Sequence, residues 1–269
     1  MIAEIAGRTF EWGSRTYVMG IVNVTPDSFS GDGLGADVEA AVAQGLRMVD
    51  EGADMLDVGG ESTRPGHVPV DAAEEIASTE PVVRRLTHDA GVPVSIDTYK
   101  LEVAEVAQAA GATILNDVWG LTRAPGIAEL AARHGCALVV MHNQDGTDYA
   151  GDLMAEITRF LRAAVDRAVA AGVRREKVIV DPGIGFGKTA DQNWQVMRRL
   201  AELRTLGQPI LIGTSRKSFI GKLLDLPVGQ RLEGTTATVV AAVLRGADIV
   251  RVHDVLPMTR AVRAADRMK

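Results

Sequence analysis

Residues with ligand-binding chemistry stand at or just after the ends of eight short apolar runs in this chain. They are carboxylates, amides, cations and imidazoles, namely Asn23, Asp57, Asp97, Asn116, Asp117, His142, Asp181, Lys217, Arg251 and His253. If the runs are parallel strands, their carboxyl ends meet at one rim, where barrel enzymes place their active sites. A single polar strand end is ordinary solvated surface, but a set of this size at one rim favours a binding site.

Four residues of this set suit a flat heterocycle with amide and amine edges. Asp97 and Asp181 offer hydrogen-bond acceptors, Asn116 offers both a donor and an acceptor, and Lys217 offers donors. A ring that carries both N–H and carbonyl groups along its edge would find a partner for each of them. The residue types therefore predict a pocket for a planar heterocycle at the rim.

A second group of residues suits an anion. Arg251 and His253 are two positions apart, so on a strand both side chains face the same side. Together with Asn23, they match the requirements of a phosphate or pyrophosphate group. The structural alternative for Arg251 is an ion pair at the barrel mouth with Asp254 or another acid.

Several better-known motifs are excluded by their spacing. The segment Asp181–Thr189 resembles a phosphate-binding loop, but that motif requires glycine at position 182, where proline stands. The glycines of the same segment also lack dinucleotide-binding spacing, so we interpret them as a tight turn that lets backbone approach a ligand. The five histidines show no zinc-type spacing. Cys136 is interpreted as a small buried side chain rather than a nucleophile.

The elements that must position these residues follow a strand–helix repeat. Eight Val- and Ile-rich runs, most of them without in–out alternation, predict parallel strands buried on both faces: Val18–Val22, Met55–Val58, Val92–Ile96, Thr113–Leu115, Ala137–Met141, Val178–Val180, Ile210–Ile212 and Asp248–Val252. Amphipathic segments between them commonly end at a glycine, as helices do. We therefore predict an α/β fold, a single (β/α)8 TIM barrel domain over residues 1–269.

Two irregularities are expected within this barrel. The alternating pattern of Ile2–Glu11 predicts a short N-terminal hairpin that covers the bottom of the barrel. The segment Pro227–Leu232 is expected to split one helical region into a short piece and a longer one.

Composition restricts the remaining possibilities. The net charge of −6 argues against a nucleic-acid-binding surface. The single cysteine cannot form an internal disulfide, which fits a reducing cytoplasm best. Neither a signal peptide nor an apolar stretch of membrane-spanning length is recognised. We therefore expect a cytoplasmic protein that binds neither nucleic acid nor a membrane.

The motifs together resemble those of the dihydropteroate synthases, a family of pterin-binding enzymes. The matching segments occur in the family's order: 19–30 (MGIVNVTPDSFS), 57–66 (DVGGESTRPG), 95–98 (SIDT), 116–118 (NDV), 141–142 (MH), 181–188 (DPGIGFGK), 213–218 (GTSRKS) and 251–254 (RVHD). The first two are highly specific in combination. The resemblance implies an enzyme that condenses 6-hydroxymethyl-7,8-dihydropterin pyrophosphate with p-aminobenzoate and releases pyrophosphate.

The resemblance also implies roles for individual residues and for partners. Catalysis is expected to depend on Asp97, Lys217, Arg251 and His253. Substrates are expected to contact Phe29, Thr63, Arg64, Pro65, Asn116, Val118, Met141, Asp181, Phe186 and Ser218. A Mg²⁺ cofactor near Asn23 and a homodimer are implied as well. Two loops, Val24–Gly35 and Ser62–Val70, would close over the reacting centre, so we expect p-aminobenzoate to bind well only after pyrophosphate.

Two alternatives remain at this point. A methyltetrahydrofolate–corrinoid methyltransferase would share a pterin-binding Asp and Asn, but would have no obvious need for Arg251 and His253 or for the Ser62–Gly66 segment. A non-catalytic pterin-binding barrel would be expected to have lost the loop motifs, which are intact here. Binding of the pterin pyrophosphate followed by product detection separates these possibilities.

Overall fold

The amino-terminal segment forms a small antiparallel hairpin. The computed structural model describes residues 1–24, 34–61 and 69–269, with only the helical backbone of 34–37. Strand β1 (Ile2–Ile5) pairs with β2 (Arg8–Glu11) through a tight turn in which Ala6 and Gly7 have φ of 49° and 70°. Two positive φ values match the twist that a two-residue hairpin turn requires. The predicted N-terminal hairpin is confirmed.

The remaining strands of the described residues form one parallel sheet. They are β3 (Tyr17–Asn23), β4 (Met55–Gly59), β5 (Val94–Asp97), β6 (Ile114–Asp117), β7 (Ala137–Met141), β8 (Val178–Asp181), β9 (Leu211–Ile212) and β10 (Ile249–Val252). Their order is β8-β7-β6-β5-β4-β3-β10-β9, and a parallel bridge between Val180 and Ile210 joins its two ends. The sheet is therefore closed, and the predicted eight-stranded barrel is confirmed.

Helices surround this barrel within the described part of the chain. They are α1 (Leu34–Asp50), α2 (Ala72–Asp89), α3 (Leu101–Ala109), α4 (Gly126–His134), α5 (Leu153–Ala170), α6 (Ala190–Arg199), α7 (Ser218–Leu224), α8 (Leu232–Leu244) and α9 (Val255–Asp266). A short 3-10 turn at Val228–Gln230 separates α7 from α8, as predicted. Gly135 ends α4 with φ of 65°, a left-handed conformation that glycine adopts without steric cost. None of the described helices is long and apolar enough to cross a membrane.

Two apolar clusters explain why the strands lack alternation. Val140 on β7 packs outward into the layer between sheet and helices, whereas its neighbour Val139 belongs to a cluster inside the barrel. The inner cluster also contains Ile5 and Phe10 of the hairpin, so the hairpin closes the amino-terminal end of the barrel. Both faces of each strand are thus buried, and this leaves the carboxyl-terminal rim as the polar end.

Candidate active site

The structure brings the predicted rim residues together at the carboxyl ends of the strands. Asp97 and Asn116 are register partners at the ends of β5 and β6, and Met141 and Asp181 are register partners at the ends of β7 and β8. The others lie on or close to the same rim: Asn23 ends β3, Arg251 lies on β10, Val118 and His253 follow β6 and β10, Phe186 lies in the turn after β8, and Lys217 and Ser218 begin α7. Phe29, Thr63, Arg64 and Pro65 lie outside the described residues, as does most of both predicted loops.

Arg251 is the centre of a buried ionic cluster. Its Nε donates to Asp57 Oδ2 at 2.5 Å, and its Nη2 donates to Asp97 Oδ2 at 2.7 Å. Asn116 Nδ2 donates to the same Asp57 oxygen at 3.0 Å. The Arg251 side chain is 19% exposed, while the Asp57 side chain is fully buried. A single guanidinium therefore orients two carboxylates on neighbouring strands, which is the geometry for which its planar fork is suited.

Each carboxylate of this cluster keeps one oxygen that no residue in the described part of the chain contacts with a hydrogen bond. Asp57 Oδ1 and Asp97 Oδ1 are buried and accept no hydrogen bond from any residue that the structure describes. A buried acceptor without a partner costs free energy, so such atoms commonly mark a place where a ligand or water completes the network. The Asp97 oxygen is therefore an acceptor available to a ring N–H group.

The alternative ion pair considered for Arg251 is formed by a different arginine. Asp254 pairs with Arg216, whose Nη2 lies 2.6 Å from Asp254 Oδ1. Arg251 pairs with Asp57 and Asp97 instead, so the general alternative of a rim ion pair is correct and the specific partner Asp254 is wrong. The reason is geometric: Arg251 points across the barrel mouth towards β4 and β5, whereas Asp254 lies just beyond β10.

The Asp97 carboxyl has a raised pKa. Burial raises its pKa to about 7, and Asp57 acts in the same direction, while Arg251 opposes the shift. Burial disfavours the charged form because it removes water, and the guanidinium restores part of that stabilisation. Asp97 thus changes its charge within the physiological range, which is frequent for acids in functional sites.

Asp181 is held by the turn that follows it. The backbone N–H of Gly183 donates to Asp181 Oδ1 at 2.7 Å. Burial raises the pKa of Asp181 to about 6, against this hydrogen bond and the nearby cations Lys217 and Lys188. Gly183 therefore fixes the orientation of this carboxylate at the rim.

Lys217 and Phe186 form one wall of the site. The Lys217 ammonium lies 4.1 Å from the centre of the Phe186 ring, a cation–π contact. A side-chain carbon at Gly185 would lie 3.1 Å from Cδ of Lys217, so a residue without a side chain lets the lysine stem cross the turn. The lysine ammonium therefore lies over the aromatic ring, beside the turn that follows β8.

His253 is neutral and has a fixed partner. Burial and the cations Arg216 and Arg251 lower its pKa to about 3. Its backbone N–H donates to Ser215 Oγ at 3.2 Å, and its ring Nδ1 lies 2.9 Å from the same oxygen. Ser215 thus fixes the orientation of the ring through Nδ1, and Nε2 is the ring nitrogen that remains for a ligand.

Comparison with known proteins identifies the family. The chain matches the family of pterin binding enzymes over residues 19–253. It is 48% identical to a dihydropteroate synthase of Clostridium beijerinckii over 98% of both chains. The dihydropteroate synthase of Clostridium difficile, solved in the presence of pteroic acid, is 49% identical with a TM-score of 0.94, covering 96% of this chain and 98% of that one. The chain belongs to the dihydropteroate synthase family.

A further structure of this family extends the comparison. The dihydropteroate synthase of Xanthomonas albilineans, solved with 4-aminobenzoic acid, is 43% identical with a TM-score of 0.92, and the alignment covers 99% of this chain and 97% of that one. The likeness therefore extends over the whole barrel rather than over isolated motifs. The family resemblance predicted from the motifs is confirmed.

The sequence placed Asp57 at the rim, and Lys188 and Ser215 in the family motifs, but it indicated no role for these three residues, which the structure of this dihydropteroate synthase family member connects to the site. Asp57 anchors Arg251, Ser215 orients His253, and the buried Lys188 supports the turn after β8. A charged residue inside the fully buried strand Met55–Gly59 was a signal for Asp57. The other two partners are set by side-chain packing, for which the sequence pattern gives no spacing rule.

The residues around Asn23 are chemically compatible with Mg²⁺, the ion expected for the dihydropteroate synthases. Asn23 ends β3 and is half-buried beside Gly59, with an amide oxygen that is a suitable hard ligand. No group of three or more His, Cys, Asp or Glu residues able to hold a metal occurs among the described residues. A magnesium ion here would therefore take most of its ligands from a bound pyrophosphate and from water, as Mg²⁺ commonly does.

Proposed function

We propose that this protein joins the amine of p-aminobenzoate to the methylene carbon of 6-hydroxymethyl-7,8-dihydropterin pyrophosphate. The C–N bond forms, the C–O bond to pyrophosphate breaks with its electron pair leaving on oxygen, and the amine loses one proton. The product is 7,8-dihydropteroate. The observation that supports this most strongly is the meeting of Asp97, Asp181 and Arg251 at the rim of a family barrel.

Two carboxylates recognise the pterin in this proposal. Asp97 Oδ1, which has no partner among the described residues, and the second oxygen of Asp181 would accept ring and amino hydrogens. Asn116, Val118 and Met141 lie at or just after the ends of neighbouring strands and are proposed to line the same pocket. As the C–O bond breaks, positive charge develops on the pterin, and a preorganised Asp97 carboxylate stabilises it without reorganisation. No covalent nucleophile of the enzyme is required.

The leaving pyrophosphate is bound by cations and a neutral imidazole. Arg251 supplies charge, and His253 donates from Nε2 in the tautomer in which Ser215 donates to Nδ1. Asn23 would contribute an oxygen ligand to Mg²⁺, which neutralises the leaving anion when bound. These groups stabilise charge on the side of the methylene carbon opposite to the incoming amine.

p-Aminobenzoate lies on the outer side of the pterin in this proposal. Lys217 and Ser218, where α7 begins, face the carboxylate of this substrate, and Phe186 lies beneath its ring. The loop residues Phe29, Thr63, Arg64 and Pro65 are proposed to complete this pocket. Because these residues belong to loops, we expect pyrophosphate to bind first and to order them.

The expected activity is Mg²⁺-dependent formation of 7,8-dihydropteroate by the purified protein. Product is measured by chromatography and mass spectrometry with authentic substrates, and Mg²⁺ is removed with a chelator and then restored. Turnover that falls on chelation and returns with Mg²⁺ supports the proposal. A folded sample that forms no product under any of these conditions contradicts it.

A pH dependence follows from Asp97. Its carboxyl must be ionised to stabilise the pterin cation, and its pKa is raised to about 7, so kcat/KM for the pterin substrate is expected to rise with pH through about 7. Asp97→Asn removes the ionisation and should abolish this rise along with most activity. A wild-type profile that is flat between pH 6 and 8 would contradict the assignment.

We further propose that the protein is a cytoplasmic homodimer that pairs through α6, α7 and α8. These helices border an apolar groove of about 270 Å³ lined by Trp194, Met197, Ile220, Leu223 and Leu224. Leu223 and Leu224 are 65% and 42% exposed. Exposed apolar patches on a soluble chain commonly mark interfaces, and a second copy offers an equally apolar surface.

The oligomeric state is tested by replacing Leu223 with aspartate. We expect light scattering to report a dimer for the wild type and a monomer for Leu223→Asp at micromolar concentration. Ile2→Asp is the control, because Ile2 is an equally apolar residue, 57% exposed, on the N-terminal hairpin rather than on the groove. A monomeric wild type, or equal dissociation in both variants, would refute the proposed interface.

A further inference from the structure

Lys188 is a buried lysine behind the candidate active site, outside the groups assigned to the reaction, and its charged form is an ammonium with three donors. The residue is 8% exposed, and its Nζ lies 3.0 Å from each of three acceptors, namely Gly183 O, Phe186 O and His142 Nδ1. An ammonium group has three hydrogens. Each of them therefore has an acceptor, which explains how a lysine is accommodated in this interior.

The segment that Lys188 grips is intrinsically flexible. Gly183, Gly185 and Gly187 have φ of 70°, 84° and 53°, conformations that glycine adopts easily and leaves easily. Two carbonyls of this segment accept from one buried ammonium, so the turn is closed from behind. Without the ammonium, those carbonyls would lose a buried donor, and the glycines would permit several backbone arrangements.

The same turn carries two residues of the proposed site. Gly183 N–H holds Asp181 Oδ1, and Phe186, two residues before Lys188, lies under the Lys217 ammonium. The position of the turn thus sets both the carboxylate that faces the pterin and the ring that faces p-aminobenzoate. Lys188 is placed to control both through the turn, since it is not among the groups proposed to contact a substrate.

The opposite side of Lys188 is equally fixed. Burial and the Lys188 charge lower the pKa of His142 to about 3, so the ring is neutral and accepts through Nδ1. His142 packs edge-on against Phe160 at 4.9 Å and alongside Tyr149 at 6.0 Å. Tyr149 in turn donates to Gly187 O at 2.9 Å. The lysine is therefore held against a rigid aromatic wall.

We propose that Lys188 is a positioning residue, which holds residues 183–187 so that Asp181 and Phe186 face their substrates. This inference rests on the proposed function. The fold supplies a matched control: Lys177 precedes β8 at the opposite end of the barrel, is 9% exposed, and donates to Gly135 O at 2.6 Å. It is thus a second buried lysine bonded to a backbone carbonyl, but remote from the site.

The charge of Lys188 has a separate consequence. The cations that lower the Asp181 pKa are Lys217, Lys188 and Arg251, and Lys188 itself faces Asp181, Lys217 and the neutral His142. Burial lowers the pKa of Lys188 to about 7, so the lysine is charged at the acid end of the physiological range, and removing that charge there raises the Asp181 pKa. A neutral Asp181 accepts fewer hydrogens, so pterin affinity should fall as pH is lowered; we call this fall the acid limb. Removing the Lys188 charge should move the acid limb to higher pH, which a purely structural defect would not cause.

The test compares Lys188→Met, Lys188→Gln and Lys177→Met with the wild type. Calorimetry gives the Kd of the pterin pyrophosphate between pH 6 and 9, and steady-state assays give KM for p-aminobenzoate and kcat. For Lys188→Met we expect the Kd of the pterin pyrophosphate and the KM for p-aminobenzoate each to rise about tenfold or more. This is the scale of losing a donor to buried acceptors. Lys188→Gln keeps amide donors but not the charge, so it should recover part of the affinity while keeping the shifted acid limb.

Several results would overturn this inference. They are wild-type constants and an unshifted acid limb in a folded Lys188→Met protein, or equal losses in Lys177→Met. If Lys188→Met does not fold, an unshifted acid limb in Lys188→Gln would overturn the inference instead. A wild type that neither binds pterin pyrophosphate nor turns over contradicts the proposed function, whereas an active wild type with unaffected Lys188 variants contradicts this inference alone.

Discussion

Arg251→Met is expected to abolish turnover and to lower the free energy of unfolding by about 3–5 kcal/mol at neutral pH, the scale of removing one partner from a buried ion pair. The physical reason is that Asp57 and Asp97 both lie against this guanidinium. Without it, two buried carboxylates face each other across β4 and β5 with no cation between them. Denaturant unfolding measures the stability, and product formation measures the activity.

The loss of stability in Arg251→Met should depend on pH with a definite sign. The folded-state pKa of Asp97 is already raised to about 7, and Arg251 opposes that rise, so removing Arg251 raises the pKa further. A carboxyl whose folded pKa is raised contributes stability below its unfolded pKa and loses it as pH rises through the folded value. The deficit relative to wild type should therefore shrink as pH is lowered towards 5.

A surface arginine provides the comparison for this variant. Arg84 pairs with Glu80 on the exposed side of α2, where its side chain is 62% exposed. Exposed pairs of this kind contribute little because water screens them. Arg84→Met should therefore leave both activity and stability nearly unchanged. If Arg251→Met unfolds at the same denaturant concentration as Arg84→Met, the buried cluster does not have the role assigned to it.

Asp181→Ala is expected to remove most pterin affinity while leaving the barrel folded. The substitution removes both the acceptor of the Gly183 N–H and the oxygen that is proposed to face the ligand. Losing charge-assisted hydrogen bonds costs about 1.5–3 kcal/mol, or roughly ten- to hundredfold in Kd. Calorimetry with the pterin pyrophosphate measures the change. Circular dichroism checks that the fold is intact.

Asp248 is a matched control for Asp181. It is a half-buried carboxylate just before β10 that also accepts a backbone N–H, from Ile210 at 2.9 Å, but at the opposite end of the barrel. Asp248→Ala should reduce stability and leave the pterin Kd unchanged. Near-wild-type pterin affinity in Asp181→Ala, or an equal loss in Asp248→Ala, would refute the binding role.

The barrel itself was accessible from the sequence because each strand is buried on both faces. Apolar runs without alternation, bounded by glycines such as Gly135 and Gly207, have few other physical explanations. Strand ends were shifted by one or two residues, as for Val92–Ile96, which the structure places at Val94–Asp97. This strand, β5, begins two residues later than predicted because Pro93 supplies no N–H for the ladder.

The location of the site could be predicted from the sequence, but most side-chain contacts within it could not. That Asp97, Asn116 and Arg251 share a rim follows from their places at strand ends. That Arg251 reaches Asp57 and Asp97 rather than Asp254 depends on barrel closure and on which way the side chain crosses the mouth. The turn after β8 was expected to bring backbone close to a ligand, but its support from Lys188 was not expected. Such partners depend on packing between distant segments.

The most direct test of the account follows the oxygen that bridges the methylene carbon and the pyrophosphate. With that oxygen labelled as ¹⁸O, reaction with p-aminobenzoate should give one labelled pyrophosphate for each 7,8-dihydropteroate, since the carbon–oxygen bond is the one that breaks. Mass spectrometry of both products measures the label. An absence of 7,8-dihydropteroate, or release of pyrophosphate without the label, would contradict the central claim that this barrel transfers the pterin methylene carbon to an amine.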